Sequence, residues 1–104
     1  MIDDRVLRAF VAVAQQGSFS RAAAELGYSQ PAITHQVRQL EASLRVTLFD
    51  RSTVPLRLTA QGRARLLVVE AIIGLIDGLR EDSGEVGGVS ARGRVIKDAL
   101  RVVP

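Results

Sequence analysis

The chain has 104 residues, the size of one small domain, with no cysteine and a single histidine, which excludes a multidomain enzyme, a disulfide scaffold and a self-contained zinc site. Hydrophobic residues make up 47% and charged residues 24%, so the chain lacks the composition of a disordered tail and is expected to fold. The net charge of +3 comes from 13 Arg and one Lys, with the excess ahead of residue 81; it permits a polyanionic partner without requiring one.

With three Phe, one Tyr and no Trp, the core is expected to be aliphatic, built from Leu, Val, Ile and Ala, which suits helices. The opening Met1-Ile2-Asp3-Asp4-Arg5 lacks the basic and apolar regions of a signal peptide. The longest apolar run, Leu66 to Leu79, is broken by Glu70 and Asp77 and falls short of the roughly 20 residues a membrane span needs, so no membrane partner is expected.

The first predicted helix starts at Asp3 or Asp4, carries Leu7, Phe10, Val11 and Ala14 at i, i+3, i+4, i+7, and stops at Gly17. Ser18 caps a second, short helix with Phe19, Ala22, Ala23 and Leu26 on its inner face, ended by Gly27. Ser29 caps a third, with Pro31 tolerated in its first turn and Ile33, Val37, Leu40 and Leu44 as its apolar stripe. The period then changes. Val46 and Leu48, then Leu56 and Leu58, alternate with polar neighbours around Ser52-Thr53-Val54-Pro55 and predict a small hairpin of two short strands.

Thr59 offers the N-cap of a long helix from about Ala60 to about Glu81, broken by Asp82-Ser83-Gly84. Its apolar residues, with Leu66, Val69, Ile73 and Ile76 beside Val68, Ile72, Leu75 and Leu79, cover about half the circumference. One small domain cannot bury that much. The helix is therefore expected to pack one flank on its own domain and the other on a partner chain, with Leu66, Val69, Ile72, Ile73, Ile76 and Leu79 as dimer residues and Arg63, Glu70, Asp77 and Glu81 as the polar strip. The competing reading is a wholly intramolecular core helix. Gly84 to Gly93 reads as a linker, and Arg94 to Pro104 as one or two helical turns or a short strand. These signals divide the chain into residues 1–59, 60–82 and 83–104.

Ala23, Gly27 and Ile33 meet the packing needs of a helix-turn-helix: a small residue where the helices nearly touch, a glycine for the turn, and an aliphatic plug in the angle between them. The stripe on the third helix points inward, leaving Pro31, His35 and Arg38 outward and Gln30 and Thr34 at the flank. These side chains suit base edges. Gln pairs with adenine, Thr bonds a base or touches a thymine methyl, and Arg forks onto guanine, each good pair giving roughly 1 to 3 kcal/mol of discrimination. The plain alternative is a solvated polar face. Ser18 and Ser29 are caps that also leave N–H groups for a phosphate, and Arg21, Arg51 and Arg57 are candidate phosphate contacts against the alternative of ordinary surface arginines.

Taken together, Phe10 to Ala14, Gly17 to Ala23, Leu26, Ser29 to Thr34, Leu40-Glu41, Leu44, Leu48 to Arg51, and Leu58-Thr59 followed by Gly62 resemble the winged helix-turn-helix domain of LysR-type transcriptional regulators. The match spans about residues 3 to 80 and rests on many separated positions in order. The resemblance implies a mainly α fold, a bacterial cytoplasmic regulator, and a homodimer through the long helix that places two recognition helices in successive major grooves of duplex DNA. It carries Gln30, Pro31, Thr34 and His35 over as DNA contacts, sets Ser20 with the backbone-contacting group, and makes Arg51 and the hairpin the wing. No cofactor is implied.

Three positions depart from the family pattern. Arg45 stands where Gly is usual after the third helix, so either a non-Gly residue takes a left-handed cap at about 1 kcal/mol or the helix ends differently. His35 replaces a common Arg, and the wing tip lacks basic and Gly residues. Family members continue into a two-lobed effector domain, for which the 21 residues after Ser83 are too few, so no small-molecule effector site is expected in this chain.

An enzyme is not expected, since there is no phosphate-binding Gly-rich loop, no metal-ligand spacing, and Ser90 is not in a nucleophile elbow. Two alternatives remain: an interaction module that dimerises, as a truncated regulator forming heterodimers, without reading DNA, and another winged-helix regulator such as the molybdate-responsive kind.

Overall fold

Every helix among the described residues starts on a side-chain cap. Asp3, Ser18, Ser29 and Thr59 accept from the backbone N–H groups of Val6, Arg21, Ala32 and Gly62, each three residues on, satisfying donors that a helix start leaves unpaired. In the computed structural model, which describes residues 2–81, these caps open α1 (Asp4–Gln16), α2 (Phe19–Leu26), α3 (Gln30–Leu44) and α4 (Ala60–Arg80). Between α3 and α4, β1 (Phe49–Asp50) and β2 (Arg57–Leu58) form an antiparallel pair with Phe49 opposite Leu58 and Asp50 opposite Arg57. The expected linker and C-terminal segment, 83–104, lie outside the described residues.

Gly17 and Gly27 end α1 and α2 in the left-handed conformation, at φ 63° and 74°. Arg45 does the same for α3 at φ 57°, and its N–H and that of Val46 both return to the Glu41 carbonyl. Of the two alternatives for this position, the left-handed cap is the one realised, with the Cβ strain that a glycine would avoid.

The core is not purely aliphatic. Phe10 and Phe49 are its two largest fully buried side chains, surrounded by Ile33, Leu40, Leu48, Val13 and Val37. Phe49 meets Phe10 edge-on at 5.6 Å between centroids and the partly buried Phe19 at 5.9 Å, so the three phenylalanines form one cluster. Such edge contacts add about 0.5 to 1.5 kcal/mol each beyond area burial. α1 is the central helix, packed against α2, α3 and α4. It therefore buries Val6, Ala9, Ala12 and Val13 besides Leu7 and Phe10, a wider face than a single stripe, with Val11 and Ala14 only partly buried.

The hairpin is shorter than its alternation predicts. Val46 belongs to the turn after α3, and Leu48 is buried outside the ladder because its N–H is taken by the Glu41 carboxylate at 2.7 Å and its carbonyl by the Thr59 N–H at 3.0 Å. The return arm is fixed separately, by a bond from Leu56 N–H to the Gly17 carbonyl at 3.1 Å.

Gly62 sets the start of α4. A Cβ there would collide with the carbonyl oxygen of Leu48 and meet Leu58 Cδ2 at 3.0 Å, so the helix lies directly on the base of the hairpin. Further along, Val69 and Ile73 are buried in the common core. The result is a winged helix-turn-helix, α2 and α3 with a hairpin wing, extended by a long C-terminal helix. No helix among the described residues is long and apolar enough to cross a membrane.

Candidate nucleic-acid interface

The N-cap at Ser29 and the inward stripe Ile33, Val37 and Leu40 fix how α3 is rotated about its axis. The opposite side then presents Gln30, Pro31, Thr34, His35 and Arg38 together, lining one shallow depression on the surface. Thr34 is half-buried and the other four are exposed. Among the described residues Arg38 has no ion-pair partner, which leaves all its donors for an external acceptor. The face combines an amide, a hydroxyl, an imidazole and a guanidinium at the N-terminal half of a helix, where a groove is most easily reached.

Around it lie the residues expected to meet a backbone. Ser18 and Ser29 act as caps, accepting from Arg21 N–H and Ala32 N–H at 3.2 Å. Ser20, on α2, donates to Gln30 Oε1 at 3.5 Å, a long contact that bridges the two helices at the edge of the reading face. The Arg21 side chain is exposed, and Arg57 projects from β2 opposite Asp50. Asp50 is held below the usual aspartate value, chiefly by the Ser52 hydroxyl, then by the Ser52 N–H and the nearby Arg57 charge. Arg51 differs from Arg21 and Arg57, for its guanidinium is bonded to Glu41 at 3.0 Å and lies 5.4 Å from the Phe19 ring centre.

Two residues to which the sequence assigned no role of their own stand out here. Tyr28 sits exposed in the turn before α3, and its hydroxyl has no partner among the described residues. Glu41, part of the family-like Leu40-Glu41 pair, has a side chain that is 14% exposed and binds both the Leu48 backbone and Arg51. The signal available was an acid on the third helix with an arginine ten residues on, past a strand.

The residues proposed for dimerisation divide in two. Val69 and Ile73 are 4% and 8% exposed and belong to the domain's own core, which corrects their assignment to the dimer contact. Leu66 is partly buried against that core as well. The open flank of α4 is Leu67, Val68, Ile72, Leu75 and Leu79, with Leu67 as a member the apolar arc did not single out. Asp77, expected on a polar strip, is bonded to Arg8 of α1 at 2.6 Å.

The family profile of bacterial regulatory helix-turn-helix proteins, lysR family, matches residues 5–63. The chain belongs to the LysR family. It is 42% identical over 103 residues to the small neutral protease regulatory protein of Streptomyces coelicolor, covering 95% of this chain and 33% of that protein. An uncharacterised HTH-type transcriptional regulator from the ibpB-leuC intergenic region of Azotobacter vinelandii is 41% identical over 87 residues, covering 83% of this chain and 60% of the other. This LysR-family chain thus spans about a third to 60% of the length of these relatives. Among solved structures, the BenM_DBD/catB site 1 DNA complex superposes with a TM-score of 0.76 at 28% identity, over 82% of this chain and 91% of that one. The CbnR_DBD–DNA complex gives 0.73 at 40% identity, over 77% and 92%.

Proposed function

We propose that the chain is a sequence-specific DNA-binding unit of a LysR-type transcriptional regulator, acting as a dimer in the bacterial cytoplasm. The observation that carries this is the single face of α3 on which Gln30, Pro31, Thr34, His35 and Arg38 converge. The likeness to BenM and CbnR domains bound to DNA supports a duplex as the partner. Gln30, Thr34 and Arg38 read base edges in the major groove, Pro31 and His35 contribute contact surface, and Ser18, Ser20, Arg21, Ser29 and Arg57 meet the backbone.

Dimerisation through the open flank of α4 would set two such faces against two half-sites about one helical turn apart. The same exposed flank favours a second reading, pairing with longer relatives without reading DNA. Selection of bound genomic fragments at low salt, followed by sequencing, separates the two. A shared motif is expected, with Gln30→Ala or Thr34→Ala relaxing it at individual positions and Arg21→Ala weakening all sequences alike. Fragments no different from random DNA would sink the specific-reader function.

A further inference from the structure

Arg51 follows β1 and carries the charge of a wing phosphate contact, but its guanidinium is already engaged on two sides. Nη2 donates to Glu41 Oε1 at 3.0 Å, Nη1 lies 3.5 Å from Oε2, and the cation faces the Phe19 ring at 5.4 Å from its centre. The acid is the more enclosed partner, its side chain 14% exposed against 35% for the arginine. Its Oε2 also accepts the Leu48 N–H at 2.7 Å. One carboxylate on α3 therefore grips both the backbone entering the hairpin and the arginine leaving β1, while α2 supplies the aromatic surface beneath.

We propose that Arg51 is a positioning residue, which fixes the wing to the recognition helix through Glu41, rather than a phosphate contact. The proposal rests on the DNA-binding reading above. A planar guanidinium meets a carboxylate with two donors and stacks on a ring, whereas an ammonium keeps only the charge. Without Arg51 the half-enclosed Glu41 loses its counter-charge, and the hairpin loses its only side-chain tie to α3 made after β1 among the described residues.

Lysine distinguishes the two roles, because a phosphate accepts it as a point charge and the Glu41–Phe19 slot does not. The test measures binding to the selected duplex across a salt series for the parent, Arg51→Lys, Arg51→Ala, Glu41→Gln and the double variant, with circular dichroism confirming the fold. Arg51→Lys and Glu41→Gln are each expected to weaken binding several-fold with the salt slope unchanged. Glu41→Gln is decisive in sign, since removing a negative charge from a domain that binds a polyanion would otherwise tighten binding. Adding Arg51→Ala to it should cost little more. Parent-like binding by Arg51→Lys, or a slope reduced by about 0.9 in Arg51→Ala, the mark of one lost phosphate contact, overturns the proposal.

Amide exchange at Leu48 and in the hairpin, measured without DNA, gives an independent reading. Faster exchange is expected in both Arg51→Lys and Glu41→Gln; unchanged exchange overturns the positioning role whether or not a duplex binds. Failure of the parent to bind any duplex would instead overturn the DNA-binding function while the exchange result still decides the positioning one.

Discussion

Arg8 of α1 donates from Nη2 to Asp77 of α4 at 2.6 Å, joining residues 69 positions apart in the chain. The same guanidinium donates from Nε to Asp4 at 2.8 Å, and Arg80 approaches Asp4 at 3.8 Å. Two acids and two arginines thus clasp the last turns of α4 to the first two turns of α1, beyond the point where the shared apolar core ends at Ile73. Asp77 first, and Asp4 second, raise the Arg8 pKa. A raised value means stabilisation that is complete below the unfolded pKa and lost only as pH rises through the folded one, far above neutrality. Asp77→Asn is therefore expected to lower stability by about 1 kcal/mol at neutral pH, discounted for partial exposure, as read from the urea midpoint at constant m. An unshifted midpoint would reduce the clasp to an ordinary surface pair.

The division of α4 into buried and open flanks makes a sharp pair of variants. Ile72 and Leu75 are 37% and 52% exposed, whereas Ile73 one position away is 8%. Ile72→Asp with Leu75→Asp should leave the circular dichroism spectrum intact and give a monomer in sedimentation equilibrium. Ile73→Asp places an unpaired carboxylate in the core and should cost more than about 3 kcal/mol, enough to unfold a small domain. A double variant that sediments as a dimer would move the interface off this flank.

Glycine substitutions on the same helix should act in opposite directions. Gly62→Ala drives a methyl into the Leu48 carbonyl, which is backbone and cannot swing aside, so a loss of about 2 kcal/mol or more is expected. At Gly78 an added Cβ meets nothing within 4 Å, and Gly78→Ala should gain about 0.5 to 1 kcal/mol from helix propensity alone. Thermal melts of the two variants beside the parent check both signs at once.

Much of this was legible because it is local. Caps at Asp3, Ser18, Ser29 and Thr59, and stops at Gly17 and Gly27, are side-chain and backbone preferences that act within a few residues, and they fixed the four helices of the described residues to within a residue. The face of α3 followed, since the inward stripe of a helix defines its outward one. What escaped depends on distant partners. The strands shrank to two residues each because Leu48 is bonded to Glu41 and Thr59 instead of a neighbouring strand. Which flank of α4 is covered depends on where α1 docks, and a half-circumference of apolar residues does not reveal that. Arg51 looked like any basic residue near a wing until Glu41 and Phe19 were placed around it.

The turn of the wing responds to acid through Asp50. Its carboxyl is depressed chiefly by the Ser52 hydroxyl and N–H, with Arg57 across the pair adding a smaller pull. A depressed folded value means stabilisation that is present above the unfolded aspartate pKa and lost as pH falls through the folded one. Carboxyl carbon shifts followed through a pH titration should show Asp50 returning toward the ordinary value in Ser52→Ala. An identical titration in parent and variant would mean that the hydroxyl does not hold the charge.

Gly62 has a longer reach than its missing side chain suggests. From it to Arg80 the helix continues for about 27 Å as a stiff arm, so a tilt of about 10° at the glycine carries the far end through about 5 Å. Successive base pairs are only about 3.4 Å apart along a duplex. If two protomers join along these arms, the seat of a single backbone on the Leu48 carbonyl, with Val69, Ile73 and the Arg8–Asp77 pair holding the arm further along, sets the angle from which the spacing of the two reading helices follows.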